Sequence, residues 1–297
     1  MESTSASVPR KEDEQEKNED CIRIGENFAY IIDGTNGITD KSATEKATNG
    51  RWYVQELDKK LSKRIKNQDK KIKDVLSKII SELFDEFEKR VHKKEFELKN
   101  SETPSAFISI ARWNDSELEV YSLGDCTAMI KKKDDLETFR NSKMIELEKQ
   151  ILQKIQSYKE KQGLTHEQAI EKIMPEYLEI KRKQDTPGGW YSIGFNPKTP
   201  EKGKTRKYDL ENVEELILHT DGLDNLKALH NNIENPEQLY KYINQKGLKE
   251  TIQKMRQLEE KDSECNKAPR YKKSDDTTIA KITEFNSTNS LDTSNSN

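Results

Sequence analysis

The sequence predicts an α+β fold with antiparallel sheets. Strand-length apolar runs and helical stripes follow one another in blocks: strand, two helices, several strands, a long charged helical span, strand, helix, strand. Such segregation argues against a regular βαβ alternation. "AFISIARW" and "ELEVYSLG" are separated by "NDS", residues suited to a hairpin turn. No internal repeat interrupts the order. The 297 residues admit one large domain or two small ones, and one is expected.

The elements can be taken in turn. Residues 1–17 are polar and charged and are expected to be a flexible segment, as is the low-complexity tail 286–297, "NSTNSLDTSNSN". They bracket a domain of residues 18–285. Phe28 to Ile32 is a strand. Trp52, Val54, Leu57 and Leu61 recur at helical intervals between Asn49 and Ile65, and a clearer stripe from Ile72 to Val91 lies within a helix drawn from Lys71 to Phe96. The hairpin and "CTAMIKK" continue the sheet. The span 141–183 reads as charged helix with sparse apolar positions and looks like an insertion, a surface element for selecting a protein partner or substrate. "TPGGWYSIGFNP" returns to loop and strand, where Trp190 and Tyr191 serve either as a mobile flap or as strand packing. "ENVEELILHTDG" is a strand, Glu237 to Leu258 a helix, and "DDTTIAKITEF" a closing strand.

Composition narrows the function classes. Hydrophobic residues are 31% and charged residues 36%, a balance that would suggest disorder if the apolar positions were not gathered into runs and stripes. The 52 basic and 55 acidic residues are interspersed and give a formal charge of −3, so no global field favours nucleic acid or an acidic membrane. The basic stretch Lys59 to Lys73 interleaves with apolar residues, as a solvated helix face does. Cys21, Cys126 and Cys265 are too few and too widely spaced for a disulfide framework or a thiolate zinc site, and a cytoplasmic chain is expected. No run reaches the ~18 apolar residues of a membrane span, and no apolar segment near Met1 resembles a signal peptide.

The functional signal lies in carboxylates at strand ends. An Asp-Gly pair after a strand is ordinarily a turn, its carboxylate bonding nearby backbone amides. Here the arrangement repeats at Asp33–Gly34 and Asp221–Gly222, Asp125 follows a third apolar run, and Asp275 and Asp276 precede a fourth. Carboxylate and carbonyl oxygens are hard ligands suited to Mg²⁺ or Mn²⁺, whereas His92, His166, His219 and His230 lack zinc spacing. If Asp33, Asp221 and Asp275 converge, repulsion raises their pKa values unless a divalent cation sits among them. Two such ions can share a water, lower its pKa and fix it for in-line attack on a phosphoryl group. That chemistry suits a chain without a P-loop or a serine or cysteine nucleophile motif.

These residues resemble the metal-dependent serine/threonine protein phosphatases of type 2C. An acidic "NED" motif is matched by Asn18, Glu19 and Asp20, "DGxxG" by Asp33 to Gly37, "GDS" by Gly124 to Cys126, "SDG" by Thr220 to Gly222, and the final "DD" by Asp275 and Asp276, all in family order. The resemblance implies a sandwich of two antiparallel β-sheets flanked by helices, with a dinuclear site at one end. It implies that Asp33 bridges both metals, that the Gly34 carbonyl binds one, and that Asp221 and Asp275 complete the other. Glu19 and Asp20 would act directly or through metal-bound water, and Asp125 would lie near a third ion.

The chain departs from the family pattern at three positions. Gln15 stands where many members carry a phosphate-binding arginine, and Lys17 is the residue that would substitute for it. Thr35 replaces a histidine of the eukaryotic forms, and Asn225 replaces an aspartate, with Asp224 one position early. The expected activity is hydrolysis of phosphoserine or phosphothreonine in proteins. The alternatives are a pseudophosphatase acting as a binding module, and a hydrolase of small phosphate esters. Cys126, beside a carboxylate, is expected to be a packed thiol.

Overall fold

The computed structural model describes residues 2–11, 13–37, 44–91, 103–141 and 143–285. These form two five-stranded antiparallel sheets stacked face to face, the architecture expected from the sequence. The first sheet runs β2 (Asp20–Ile24), β3 (Phe28–Thr35), β4 (Ser105–Trp113), β5 (Glu117–Leu123), β8 (Lys204–Asp209). The second runs β1 (Ser3–Val8), β10 (Thr277–Ile282), β9 (Val213–His219), β6 (Thr127–Lys132), β7 (Leu136–Phe139).

The continuous apolar runs of the central strands follow from burial on both faces. In β3, Ala29 and Ile31 point between the sheets, while Phe28, Tyr30 and Ile32 point outward beneath two helices, α1 (Asn49–Arg64) and α2 (Ile72–Val91). In β9, Leu216 and Leu218 face the inter-sheet core, and Ile217 faces α5 (Asp224–Leu229) and α6 (Pro236–Lys261). Alternation of period two thus divides one run between two cores, and the layers read helix, sheet, sheet, helix.

The Thr48 hydroxyl caps α1 by accepting from the Arg51 N–H at 2.9 Å. Within the basic stretch, Lys60 pairs with Glu86 at 2.7 Å and Arg64 with Glu82 at 2.8 Å, so part of its charge is spent on α2. The part of the expected α2 stripe that runs past Val91 to Phe96 lies outside the described residues, as does the tail 286–297.

The N-terminal expectation requires a correction. Ser3–Val8 is an edge strand in register with β10 (Ser3 opposite Ile282, Val8 opposite Thr277), and a 3₁₀ turn follows at Gln15–Lys17. The stretch "STSASV" carries little apolar signal because an edge strand is held chiefly by ladder hydrogen bonds. The same reason conceals β8, "KTRKYD", of which Tyr208 alone is buried.

The span 141–183 is a helical hairpin, α3 (Lys143–Gln162) and α4 (His166–Lys181), with a capping box between Thr165 and Gln168. Ile151, Ile155, Ala169 and Ile173 form a small core of their own. That core is closed by Tyr271, whose ring stacks on Tyr177 at 4.6 Å. The hairpin is therefore seated on the segment that leads into Asp275.

Candidate metal centre

Sheet register brings the strand-end carboxylates to one edge of the sandwich. Asp20 lies directly opposite Asp33 across β2 and β3. Thr127 lies opposite His219, which in turn lies opposite Ile279. Asp125, Asp221 and Asp275 each stand two residues outside a strand at that same edge.

Asp125 sits in the crossover from β5 to β6, where Gly124 has φ +98° and a Cβ would lie 2.2 Å from the Phe107 ring. Only glycine allows the chain to change sheets so abruptly. Gly222 is required by contact instead, since a Cβ there would meet the Asp276 carbonyl oxygen at 2.2 Å. That approach locks the Asp221 turn against the start of β10.

Around these carboxylates the backbone is tied by hydrogen bonds. The Thr220 hydroxyl donates to Asp20 Oδ2 at 2.8 Å and accepts from the Thr278 N–H at 3.0 Å, linking the two sheets. Asp276 is committed to structure, accepting from the Arg10 N–H at 2.8 Å and the Glu19 N–H at 2.9 Å. Glu19 accepts from the Thr48 hydroxyl, and its main-chain oxygen accepts from the Gly34 N–H at 3.1 Å.

Candidate ligating atoms of Asp33, Asp125 and Cys126 all lie within 4.8 Å of one another, and those of Asp125, Glu148 and Asp221 form a second such group. Burial, then Asp221, Asp20, Asp125 and Asp275, raises Asp33 well above the usual carboxylate range. Burial and Asp276 do the same to Asp20, and burial and Asp221 to Asp125. Burial raises Glu19, against the Thr48 hydrogen bond. Asp221 is pushed up to about 6 by burial and by Asp275.

The residues fit a divalent cation. Asp20 Oδ1 and Asp125 Oδ1 are buried without a hydrogen-bond partner among the described residues, and an orphaned buried carboxylate oxygen is costly. Apart from Cys126, the donors brought together are carboxylate oxygens, and a cation of high charge removes both their repulsion and the orphaned lone pairs. Cys126 Sγ lies beside Asp33 and Asp125, but burial and then Asp33 push its thiol well up, so it remains a packed thiol in the inter-sheet core.

Two lysines missing from the sequence reading border this cluster, and so does one missed carboxylate. Lys272 pairs with both Asp275 oxygens, at 2.7 and 2.8 Å. Lys181, at the end of α4, lies over the rings of Tyr177 and Trp190, and burial and Lys272 draw its ammonium down to about 8. Glu148 of α3 has an exposed side chain, and partial loss of hydration beside the cluster and then Asp221 raise its carboxyl to about 7. No local signal distinguished Glu148 from the other charges of a charged helix.

Lys17 is turned elsewhere: its ammonium bonds Glu14 at 3.0 Å within the 3₁₀ turn, and no described contact joins it to the cluster. Asn225 donates to Glu259 at 2.7 Å, and Asp224 pairs with Arg140 at 2.8 Å, so neither completes the acidic group. Trp190 is buried, and the segment after it is tied to β4 by paired 2.8 Å bonds between Ala106 and Ile193.

No protein-family model matches this sequence, and no curated protein matches it. Solved structures do. A bacterial serine phosphatase aligns over 96% of this chain and 99% of its own, at 13% identity and a TM-score of 0.54. The serine/threonine phosphatase Stp1 from Staphylococcus aureus aligns over 96% and 95%, at 12% identity and 0.52. The Mycobacterium tuberculosis serine/threonine phosphatase PstP aligns over 94% and 97%, at 13% identity and 0.50. The chain has the type 2C phosphatase fold. Near-complete coverage in both directions means that the sandwich and its flanking helices are shared as a whole.

Proposed function

We propose that the chain is a metal-dependent phosphoprotein phosphatase acting on phosphoserine and phosphothreonine. The observation that carries this reading is the convergence of Asp20, Asp33, Asp125 and Asp221 at one sandwich edge, with two buried carboxylate oxygens left unpartnered. The names of the serine/threonine phosphatases that share the fold supply the substrate class.

In this reading Asp33, the Gly34 carbonyl, Asp221 and Asp275 hold two Mn²⁺ or Mg²⁺ ions. Glu19 and Asp20 support them, and Asp125 serves a third. Bound ions would supply a water of lowered pKa and neutralise charge on the phosphoryl oxygens. The chain's part is positional. Thr220 orients Asp20, Asp276 fixes the backbone beneath Glu19, and the 3₁₀ turn Asp221–Leu223 presents Asp221. Cys126, held as a thiol, is not a nucleophile. The partner is a phosphorylated protein, met in part by the α3–α4 hairpin, and free cysteines at 21, 126 and 265 suit action in the cytoplasm. No described helix is long and apolar enough to cross a membrane.

A second reading, a pseudophosphatase that binds without turnover, is favoured by Lys272, whose ammonium already occupies both oxygens of Asp275. Manganese-dependent phosphate release from p-nitrophenyl phosphate and from a phosphothreonine peptide separates the two. Turnover of both supports the phosphatase. A manganese-induced rise in melting temperature without turnover of either supports the binding module, and turnover of the aryl phosphate alone points to small esters.

A further inference from the structure

A phosphatase of this design needs a cation to receive the phosphoryl group, and the positions expected to supply it do not. Gln15 is uncharged, and Lys17 is paired with Glu14. Lys272 is spent on Asp275. Lys181 differs from both lysines. Its ammonium lies 5.8 Å from the Tyr177 ring centroid and 5.9 Å from that of Trp190, and no carboxylate among the described residues pairs with it. Yet it is within electrostatic reach of Glu148, Asp125 and Asp33.

We propose that Lys181, held on the ring faces of Trp190 and Tyr177 at the end of α4, binds the phosphoryl group of the substrate beside the acidic cluster. The proposal rests on the phosphatase reading above. Aromatic faces hold an ammonium without neutralising it, because a ring quadrupole offers no acceptor lone pair. The three N–H donors stay available to an anion, and a phosphoryl group presents three oxygens to a compact point charge. The helical hairpin would then do more than select partners: it would carry the anion-binding group that the N-terminal segment lacks.

Binding of inorganic phosphate in the presence of manganese, measured by titration calorimetry, tests the assignment apart from turnover. Lys181→Ala is expected to weaken phosphate binding by about tenfold or more, the usual loss for a hydrogen bond to a charged group, and to raise KM for p-nitrophenyl phosphate more than it lowers kcat. Lys181→Arg should restore most of the binding. Lys202→Ala, an exposed lysine over Tyr191, should change nothing. The manganese-induced rise in melting temperature should be the same in all of these proteins. Phosphate binding unchanged in Lys181→Ala overturns the proposal, as does a wild-type protein that responds to manganese but binds no phosphate. Loss of the manganese response in Lys181→Ala would reduce Lys181 to a structural role. Absence of that response in the wild type would instead sink the metal reading beneath it.

Discussion

Asp20 and Asp33 face each other across β2 and β3, a placement that is destabilising between like charges unless something positive lies between them. Asp33→Asn should therefore raise the melting temperature of the metal-free protein while abolishing its response to manganese, as thermal scans with and without the ion would record. The reverse pattern would deny Asp33 a ligand role. Asp221→Asn should lower turnover about a hundredfold or more with the fold retained, checked by steady-state kinetics beside circular dichroism. Asp185 offers a test away from the cluster. Burial, against hydrogen bonds from Ser192, raises its carboxyl to about 6. A raised carboxylate contributes stability below its unfolded pKa and loses it as pH rises through the folded value. Asp185→Asn should accordingly stabilise the protein at pH 8, by about 3 kcal/mol at most, and by little at pH 4, in denaturant titrations. Among the candidate site residues, Asp33, Asp125 and Asp221 were legible because each follows an apolar run. Glu148 and Lys181 were not, since helices carrying many exposed charges give no local sign of which charge borders the cluster.

The α3–α4 hairpin shows how an element can be recognised in the sequence while its contacts are not. Sparse apolar residues suggest a dispensable surface feature, and its own small core agrees with that. Its contacts do not. Tyr177 stacks on Tyr271, the His166 ring bonds the Tyr271 carbonyl oxygen at 3.2 Å, and the His166 N–H donates to Glu264 at 3.0 Å. Tyr271 precedes Lys272 and stands four residues before Asp275, so the hairpin braces that approach to the cluster. Replacing residues 141–183 by a short Gly/Ser bridge should leave the sandwich folded but lower turnover of p-nitrophenyl phosphate by more than tenfold. Turnover within a few-fold of the intact protein would return the hairpin to a purely partner-selecting role. At the edges, β1 and β8 escaped the sequence reading because ladder bonds, not side-chain burial, hold them.

Across the whole molecule, a divalent ion at the cluster would link stability to metal. An ion that binds the folded chain at about 100 times its dissociation constant adds roughly 2.7 kcal/mol, or about 5–10 °C in melting temperature for a domain of this size. Manganese or magnesium should produce a rise of that order, measurable by calorimetry and reversed by a chelator. A flat response in a folded protein would mean that the carboxylates hold no ion. The sequence by itself determined the block order of strands and helices, the apolar runs of the central strands and the Asp-Gly pairs at their ends. Each of these is a local pattern, written in period-two or period-3.6 spacing and in turn chemistry. The tertiary structure alone decided which carboxylates meet, that Asp276 is bound to backbone N–H groups while Asp275 faces Lys272, and that the α3–α4 helix pair brings Glu148 and Lys181 to the same edge. Those contacts join residues far apart in the chain. They depend on sheet register and on the seating of the hairpin against Tyr271, neither of which leaves a periodic trace in the sequence.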